Sequence, residues 1–208
     1  RREEDGIRRY CHLGTGNYHP KTARAYTDYG LLTCDEVIGL DVHELFLQLT
    51  SLMQSPRLRR LVQAPFKLHS TLLALIDGEI AAAQAGKPAR IVAKLNALVD
   101  PGMIQALYRA SGAGVRVELI VRGVCALRPG VPGVSENISV RSLVGRFLEH
   151  SRVYWFENGG RNQLLLASAD WMERNFFRRI EIAFPIRRSR LDRKSTRLNS
   201  SHANISYA

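Results

Sequence analysis

The chain is short of cysteine, of acidic residues and of long apolar runs, and each shortage excludes a class of protein. Its three cysteines, Cys11, Cys34 and Cys125, are too few and too scattered among 208 residues for a disulfide framework or a zinc site, and suit a reducing cytoplasm as plain thiols. No apolar stretch of about 18 residues is present to form a membrane-spanning helix, and the opening Arg1-Arg-Glu-Glu-Asp-Gly6 lacks the apolar core of a secretory signal. Neither a G-x-x-x-x-G-K-[ST] phosphate loop nor a three-glycine dinucleotide fingerprint occurs. Gly14-Thr-Gly16-Asn17 is a glycine turn whose backbone N–H groups can approach an anion, a weak signal by itself. Only 19 acidic residues face 30 Lys and Arg, a formal net charge of +11, and such a field draws polyanions: nucleic acid, phosphate chains or an acidic membrane face.

What is present is a 45% apolar, core-forming sequence with an internal echo. Thr15-Gly-Asn17-Tyr18 near one end matches Ser168-Ala-Asp170-Trp171 near the other: a small hydroxyl residue, a small residue, an amide or carboxylate, then an aromatic. At the same offset of 153 residues Thr22 faces Asn175 and Asp28 faces Glu181, so two related units are expected to build one site between them.

The pattern along the chain predicts the elements. Gly6 to Leu13 reads as a strand, and Asp41 to Met53 as a helix capped by Asp41, with Leu45, Phe46, Leu49, Leu52 and Met53 on its inner face. Pro56 and the basic run Arg57, Arg59, Arg60 follow, and a boundary falls near 56–64, where helical periodicity stops and Pro65 precedes a new helix. A helix over Ser70–Gln84 follows, with Leu72, Leu73, Ile76, Ile80 and Ala83 inward and Gly86 closing it. Strand Ala89–Leu95, a helix capped by Asp100 with Pro101 at its first turn, and the apolar strand Val115–Val121 form a βαβ unit, whose parallel strands carry binding groups at their carboxyl ends, where Arg122 stands. Strands Val153–Phe156, Gln163–Ala167 and Arg179–Ile186 complete the reading. The stretch from about Arg193 has no apolar periodicity and is set aside as a non-native tail, and the abrupt opening is read as an expectation that the chain is a fragment of a longer protein.

His150 and Arg152 form an H-x-R pair read as lying on one strand, so that their side chains point to the same face, with Ser168 and Asp170 closing the adjacent strand. The pair resembles the H-x-K motif of the phospholipase D superfamily, with Arg for Lys and Glu157 where an Asp is usual. A histidine satisfied by core hydrogen bonds is the plain alternative for His150. His12, without a basic residue two positions on, reads as a supporting residue or a direct participant. Lys21, Arg24, Arg122, Arg146, Arg152, Arg174, Arg178 and Arg179 lie near these motifs, where guanidinium forks suit phosphate.

Taken in order, His12-Leu-Gly-Thr-Gly-Asn-Tyr-His-Pro-Lys-Thr-Ala-Arg24-Ala-Tyr26-Thr-Asp28, Lys94-Leu-Asn96, Leu107-Tyr-Arg-Ala-Ser111, Leu119-Ile-Val-Arg122-Gly-Val-Cys125, Phe147-Leu-Glu-His150-Ser-Arg152 and Ser168-Ala-Asp-Trp-Met-Glu-Arg174-Asn175 resemble the C-terminal half of bacterial polyphosphate kinases. The resemblance implies an α/β fold of phospholipase D-like mixed sheets flanked by helices. Residues 1–58 would be the end of one such domain, 59–191 most of a second, and 192–208 the tail. It implies reversible transfer of the terminal phosphate of ATP to inorganic polyphosphate through a phosphohistidine that lies upstream of His12, outside this chain. Tyr26, Arg122 and His150 would contact ATP, His150 doubling as a general acid or base and His12 supporting, since imidazole titrates in the useful range. Magnesium would be held by upstream residues and by none here, and the isolated chain would be inactive. The resemblance also implies homo-oligomers of the full protein, a cytoplasmic location with room for contact at the inner membrane face, and no specific nucleic-acid partner.

Two rivals remain at this point. A phospholipase D-type phosphodiesterase or nuclease would share a twofold site, although its H-x-K pairs are more regular than His150-Ser-Arg152. A non-enzymatic polyanion binder would account for the charge alone, and its binding would be salt-sensitive and independent of ATP.

Overall fold

A computed structural model describes residues 1–4, 6–50 and 57–186. A short hairpin of β1 (Arg2–Glu3) and β2 (Gly6–Ile7) leads to β3 (Cys11–Gly14), β4 (Tyr26–Thr27), β5 (Gly30–Thr33) and helix α1 (Glu36–Thr50). The expected single strand over Gly6–Leu13 is therefore split, and its second half pairs antiparallel with β5, Leu13 opposite Leu31. These elements form the first lobe.

The second lobe begins with β6 (Val62–Ala64) and α2 (Leu68–Gln84), then β7 (Arg90–Leu95), α3 (Pro101–Gly112), β8 (Arg116–Val121) and β9 (Ile138–Arg141). It continues through β10 (Leu148–Glu149), β11 (Arg152–Phe156), β12 (Gln163–Ala167), the short helix α4 (Glu173–Phe177) and β13 (Glu181–Pro185). One seven-stranded sheet runs in the order β6-β13-β12-β11-β7-β8-β9, parallel from β7 to β9 and antiparallel elsewhere.

Local chemistry explains the strongest elements. The Asp100 carboxylate accepts from Met103 N at 2.9 Å and Pro101 opens α3, so an otherwise orphaned donor is satisfied where the helix starts. Gly86, at φ +66°, ends α2 in a left-handed turn that lets Lys87 N donate back to Ala82 O at 2.9 Å. Leu72 and Ile76 of α2 and Met103, Leu107 and Ala110 of α3 are buried with Ile91, Val117, Leu119 and Tyr154 in the main core.

Two expectations for α1 are corrected. Its first turn is capped by Asp35, which accepts from Ile38 N at 3.0 Å, while Asp41 lies inside the helix and is buried. The inner face is Ile38, Gly39, Asp41 and Leu45; Phe46 and Leu49 are exposed, because no element among the described residues packs on that side. Leu52 and Met53 fall outside the described residues, as does the expected tail. The second helix starts at Leu68 rather than Ser70, with Leu73, Ile80 and Ala83 only partly buried, and the last strand opens at Glu181 rather than Arg179.

Away from the site described below, three contacts among the described residues join the lobes. Leu13, Ile38 and Leu45 of the first pack with Val92, Val153, Trp155, Leu164, Leu166 and Phe184 of the second in a shared apolar core. β4 pairs parallel with β10, Tyr26 opposite Leu148 and Thr27 opposite Glu149. The Asp41 carboxylate accepts from the backbone N–H groups of Arg59, Arg60 and Leu61 at 2.7–3.1 Å, gripping the chain as it enters the second lobe. Substituting Asp41 by Ala leaves three donors without their acceptor, and a loss of about 2–4 kcal/mol in unfolding free energy is expected from charge-assisted bonds of this kind. Chemical denaturation of a full-length protein carrying the change measures it; a loss below about 0.5 kcal/mol would contradict this role. No helix among the described residues is long and apolar enough to cross a membrane.

Candidate active site

The sequence echo is a structural repeat. In the first lobe Thr15 Oγ donates to Asp28 Oδ1 at 2.7 Å, Tyr29 N donates to Thr15 Oγ at 3.0 Å, and Thr15 N donates to Tyr29 O. In the second, Ser168 Oγ donates to Glu181 Oε2 at 2.5 Å, Ile182 N to Ser168 Oγ at 3.2 Å, and Ser168 N to Ile182 O. Each bond recurs at the offset seen in the sequence. The match ends at the next pair, since Asn175 Nδ2 donates to Glu181 Oε1 at 2.7 Å whereas Thr22 turns to His19 O. Gly16 must be glycine because a Cβ there would collide with Asp28, 1.9 Å from Oδ2.

The two carboxylates differ in what they face. Asp28 reaches out of its own lobe, with Oδ2 3.0 Å and Oδ1 3.1 Å from His150 Nδ1. A carboxylate can only accept, so Nδ1 carries the hydrogen and the imidazole tautomer is set by the opposite lobe. His150 lies in the link between β10 and β11, and its backbone N donates to Thr27 O at 3.2 Å. Both side chains are largely buried, and the Tyr26 ring packs against the imidazole with centroids 4.9 Å apart.

Arg152 opens β11, so the strand expected to carry both residues begins only after His150, and the two meet because the guanidinium lies beside the ring. Its Nη1 lies 3.1 Å from Nε2 and 3.3 Å from Nδ1, beside the ring rather than in line with one nitrogen, and donates to Thr15 O in the glycine turn at 3.1 Å. Its Nη2 donates to Asp170 Oδ2 at 2.8 Å. Asp170 Oδ1 accepts from Asn96 N at 2.6 Å, and Asn96 Oδ1 accepts from Arg122 Nε at 2.8 Å. Lys94 Nζ donates to Ser151 Oγ at 2.6 Å and pairs with Glu149 at 3.0 Å, while burial pushes its ammonium below the usual lysine value, against that pairing. Cations and an oriented imidazole thus converge at the carboxyl ends of β7 and β8, the side of a parallel sheet where ligands bind.

Comparison with known proteins decides the family. Residues 1–55 match the model of polyphosphate kinase C-terminal domain 1 and residues 61–204 that of C-terminal domain 2. This chain belongs to the polyphosphate kinase family. It is 62% identical over 188 residues to the polyphosphate kinase of Burkholderia cenocepacia (strain HI2424) and 59% over the same length to that of Paraburkholderia phytofirmans, covering 90% of this chain but 27% of each relative. The crystal structure of the Porphyromonas gingivalis polyphosphate kinase superposes with a TM-score of 0.87 at 41% identity, over 92% of this chain and 29% of that one. NucT from Helicobacter pylori, at 14% identity and a TM-score of 0.50, covers 66% of this chain and 90% of its own and shares the fold alone. The phospholipase D-like α/β architecture expected from the motifs is the one observed, and the phosphodiesterase rival is a relative in fold only.

Within this polyphosphate kinase chain the expected site residues fall in two groups. Tyr26, His150, Arg152 and Arg122 gather around the junction of the lobes. His12 stands apart on β3, exposed, its Nε2 3.1 Å from Tyr18 Oη, and bonds to neither His150 nor Asp28. Glu157 lies at the other end of β11, its N donating to Arg90 O. Lys21, Arg24, Arg146, Arg174, Arg178 and Arg179 are exposed, Arg178 pairing with Glu173 at 3.2 Å. The polyphosphate kinase motifs contain Asp28, Lys94 and Asn96, but sequence reasoning gave none of them a role; only the 153-residue echo pointed at Asp28. Among the described residues no group of three His, Cys, Asp or Glu is placed to hold a metal ion.

Proposed function

We propose that this chain forms the nucleotide-facing part of a polyphosphate kinase that transfers the terminal phosphate of ATP, reversibly, to the end of a polyphosphate chain by way of a phosphohistidine. The observation that carries the reading is the Asp28–His150 pair, which joins residues 122 positions apart and presents one oriented imidazole among Arg152, Arg122 and Lys94. The nucleophile belongs to a histidine in the segment that precedes residue 1 in a protein of the relatives' length. Its nitrogen forms the N–P bond as the bond from the γ-phosphorus to the ADP oxygen breaks. The terminal oxygen of polyphosphate then takes the phosphoryl group, and the histidine is regenerated.

His150 donates a proton to the departing ADP oxygen and recovers it in the reverse direction, with Asp28 holding Nδ1–H so that Nε2 is the working nitrogen. Arg122 and Arg152 offset the negative charge on the phosphoryl oxygens, and Tyr26 packs beside the nucleotide. By the repeat, Glu181 is the carboxylate that would orient the upstream histidine, as Asp28 orients His150. Magnesium would supply charge neutralisation at the phosphates, and residues outside this chain would hold it. Assembly of subunits and contact with the inner membrane face belong to the same proposal for the whole protein.

The test is labelling with ATP carrying radioactive γ-phosphate. A full-length protein with this sequence should acquire an acid-labile phosphohistidine and pass the label to polyphosphate, while the 208-residue chain alone should do neither. Polyphosphate made by the isolated chain would overturn the placement of the nucleophile, and an unlabelled, inactive full-length protein would overturn the function.

A further inference from the structure

Three segments of the second lobe bring side chains to the site, the turn after β8, the His150 link and the end of β12, and one buried residue, Asn96, bonds to all three. Asn96 follows the carboxyl end of β7 and is 6% exposed. Its backbone N donates to Asp170 Oδ1 at 2.6 Å, and its backbone O accepts from Gly123 N at 2.9 Å. Its side-chain Oδ1 accepts from Arg122 Nε at 2.8 Å, and Nδ2 donates to His150 O at 3.0 Å and to Asp170 Oδ1 at 3.3 Å.

This pattern admits only one orientation of the amide. Reversed, it would set NH2 against the Nε–H of Arg122 and its oxygen against two acceptors, the His150 carbonyl and the Asp170 carboxylate. The approach is close enough to require Gly123, where a Cβ would stand 2.9 Å from Asn96 O.

We infer that Asn96 is a positioning residue of the phosphotransfer site, acting through Arg122. By taking Nε alone it aims the guanidinium and leaves both terminal NH2 groups for the phosphate oxygens of a nucleotide, the geometry in which an arginine binds phosphate through two parallel bonds. No other side chain among the described residues takes those terminal nitrogens. The inference rests on the kinase reading above and adds to it the residue that sets the nucleotide-binding arginine.

The experiment is a double-mutant cycle in a full-length kinase carrying this sequence, with steady-state kinetics for ATP. Asn96→Ala should lower kcat/KM for ATP about 10- to 100-fold, as expected for loss of a buried bond to a charged group, and chiefly through KM. In an Arg122→Ala background the same change should cost less than about threefold, because the group it positions is gone. Arg122→Lys supplies an arm that does not depend on substituting Asn96. A single ammonium held by Asn96 Oδ1 has no fork left for phosphate, so this variant should be nearly as impaired as Arg122→Ala.

Equal losses from Asn96→Ala in both backgrounds, or an Arg122→Lys enzyme within about threefold of the parent, would overturn the inference. The unsubstituted enzyme serves as the separate check. If it makes polyphosphate while the cycle is additive, only the role of Asn96 fails; if it makes none, the kinase reading itself fails.

Discussion

Replacing His150 with alanine in a full-length kinase carrying this sequence is expected to reduce polyphosphate synthesis about 10³-fold or more. Proton transfer by a positioned imidazole contributes about 10²–10⁴ by itself, and here the ring also meets Tyr26 and Arg152, so its removal disturbs the nucleotide's surroundings as well. The change should appear in kcat for both directions, since a group that donates a proton to departing ADP must accept one when ADP attacks. His150 is largely buried but lies at the edge of the shared core rather than within it, so the protein should fold and its melting temperature should stay close to that of the parent. Near-normal turnover would show that the imidazole serves only packing.

The second large effect is expected at Asp28. Asparagine is nearly isosteric, and it can still bond to Thr15 and to His150, but it carries no charge and can present its NH2 to Nδ1. The imidazole is then free to leave Nδ1 bare, and without the carboxylate charge the doubly protonated ring that donates from Nε2 to ADP is less favoured. Comparable substitutions of an orienting carboxylate lower kcat by up to about 10⁴-fold, and a fall of about 10²- to 10⁴-fold is expected here. Thr15 should matter less, because its hydroxyl touches Asp28 and not the ring. Unchanged kcat in the Asp28→Asn enzyme would mean that the cross-lobe pair is only a structural contact.

Much of the fold could be read from the chain because several elements are set by local chemistry. The apolar run of β8, the spacing of Leu72 and Ile76 in α2 and the Asp100-Pro101 start of α3 each identify themselves within a few residues. The elements that escaped are those that exist only through a distant partner. β4 and β10 are two residues each and carry no pattern of their own; they are strands because each meets the other across the lobes. β6 is three residues added to the edge of β13, in a stretch where only Pro65 and the basic run were conspicuous. For α1 the spacing of Leu45, Phe46 and Leu49 reads as helical, as it is, but an aspartate ahead of them reads as the cap. Its role is tertiary, three backbone donors 18 to 20 residues further on, and nothing local distinguishes that from capping.

The site divides along the same line. His150 and Arg152 announced themselves by spacing and residue type, and Thr15 and Ser168 by the echo between halves. Asp28 was visible as the counterpart of Glu181, yet its partner could not be read, because the bond it makes leaves its own lobe while the corresponding bonds of Glu181 stay within one. Asn96 is a common residue after an apolar strand, and its five bonds arise only when β7, β8, the His150 link and the end of β12 come together.

The account stands on one coupling, that between a carboxylate of the first lobe and an imidazole of the second, and a second double-mutant cycle measures it directly. Turnover should be determined for Asp28→Asn, His150→Ala and the doubly substituted enzyme. If Asp28 acts by orienting His150, the double variant should be no slower than His150→Ala alone, within about threefold. Multiplied losses, with the double variant slower by the full factor of Asp28→Asn, would show that the two residues work independently and that the lobes do not share the site described.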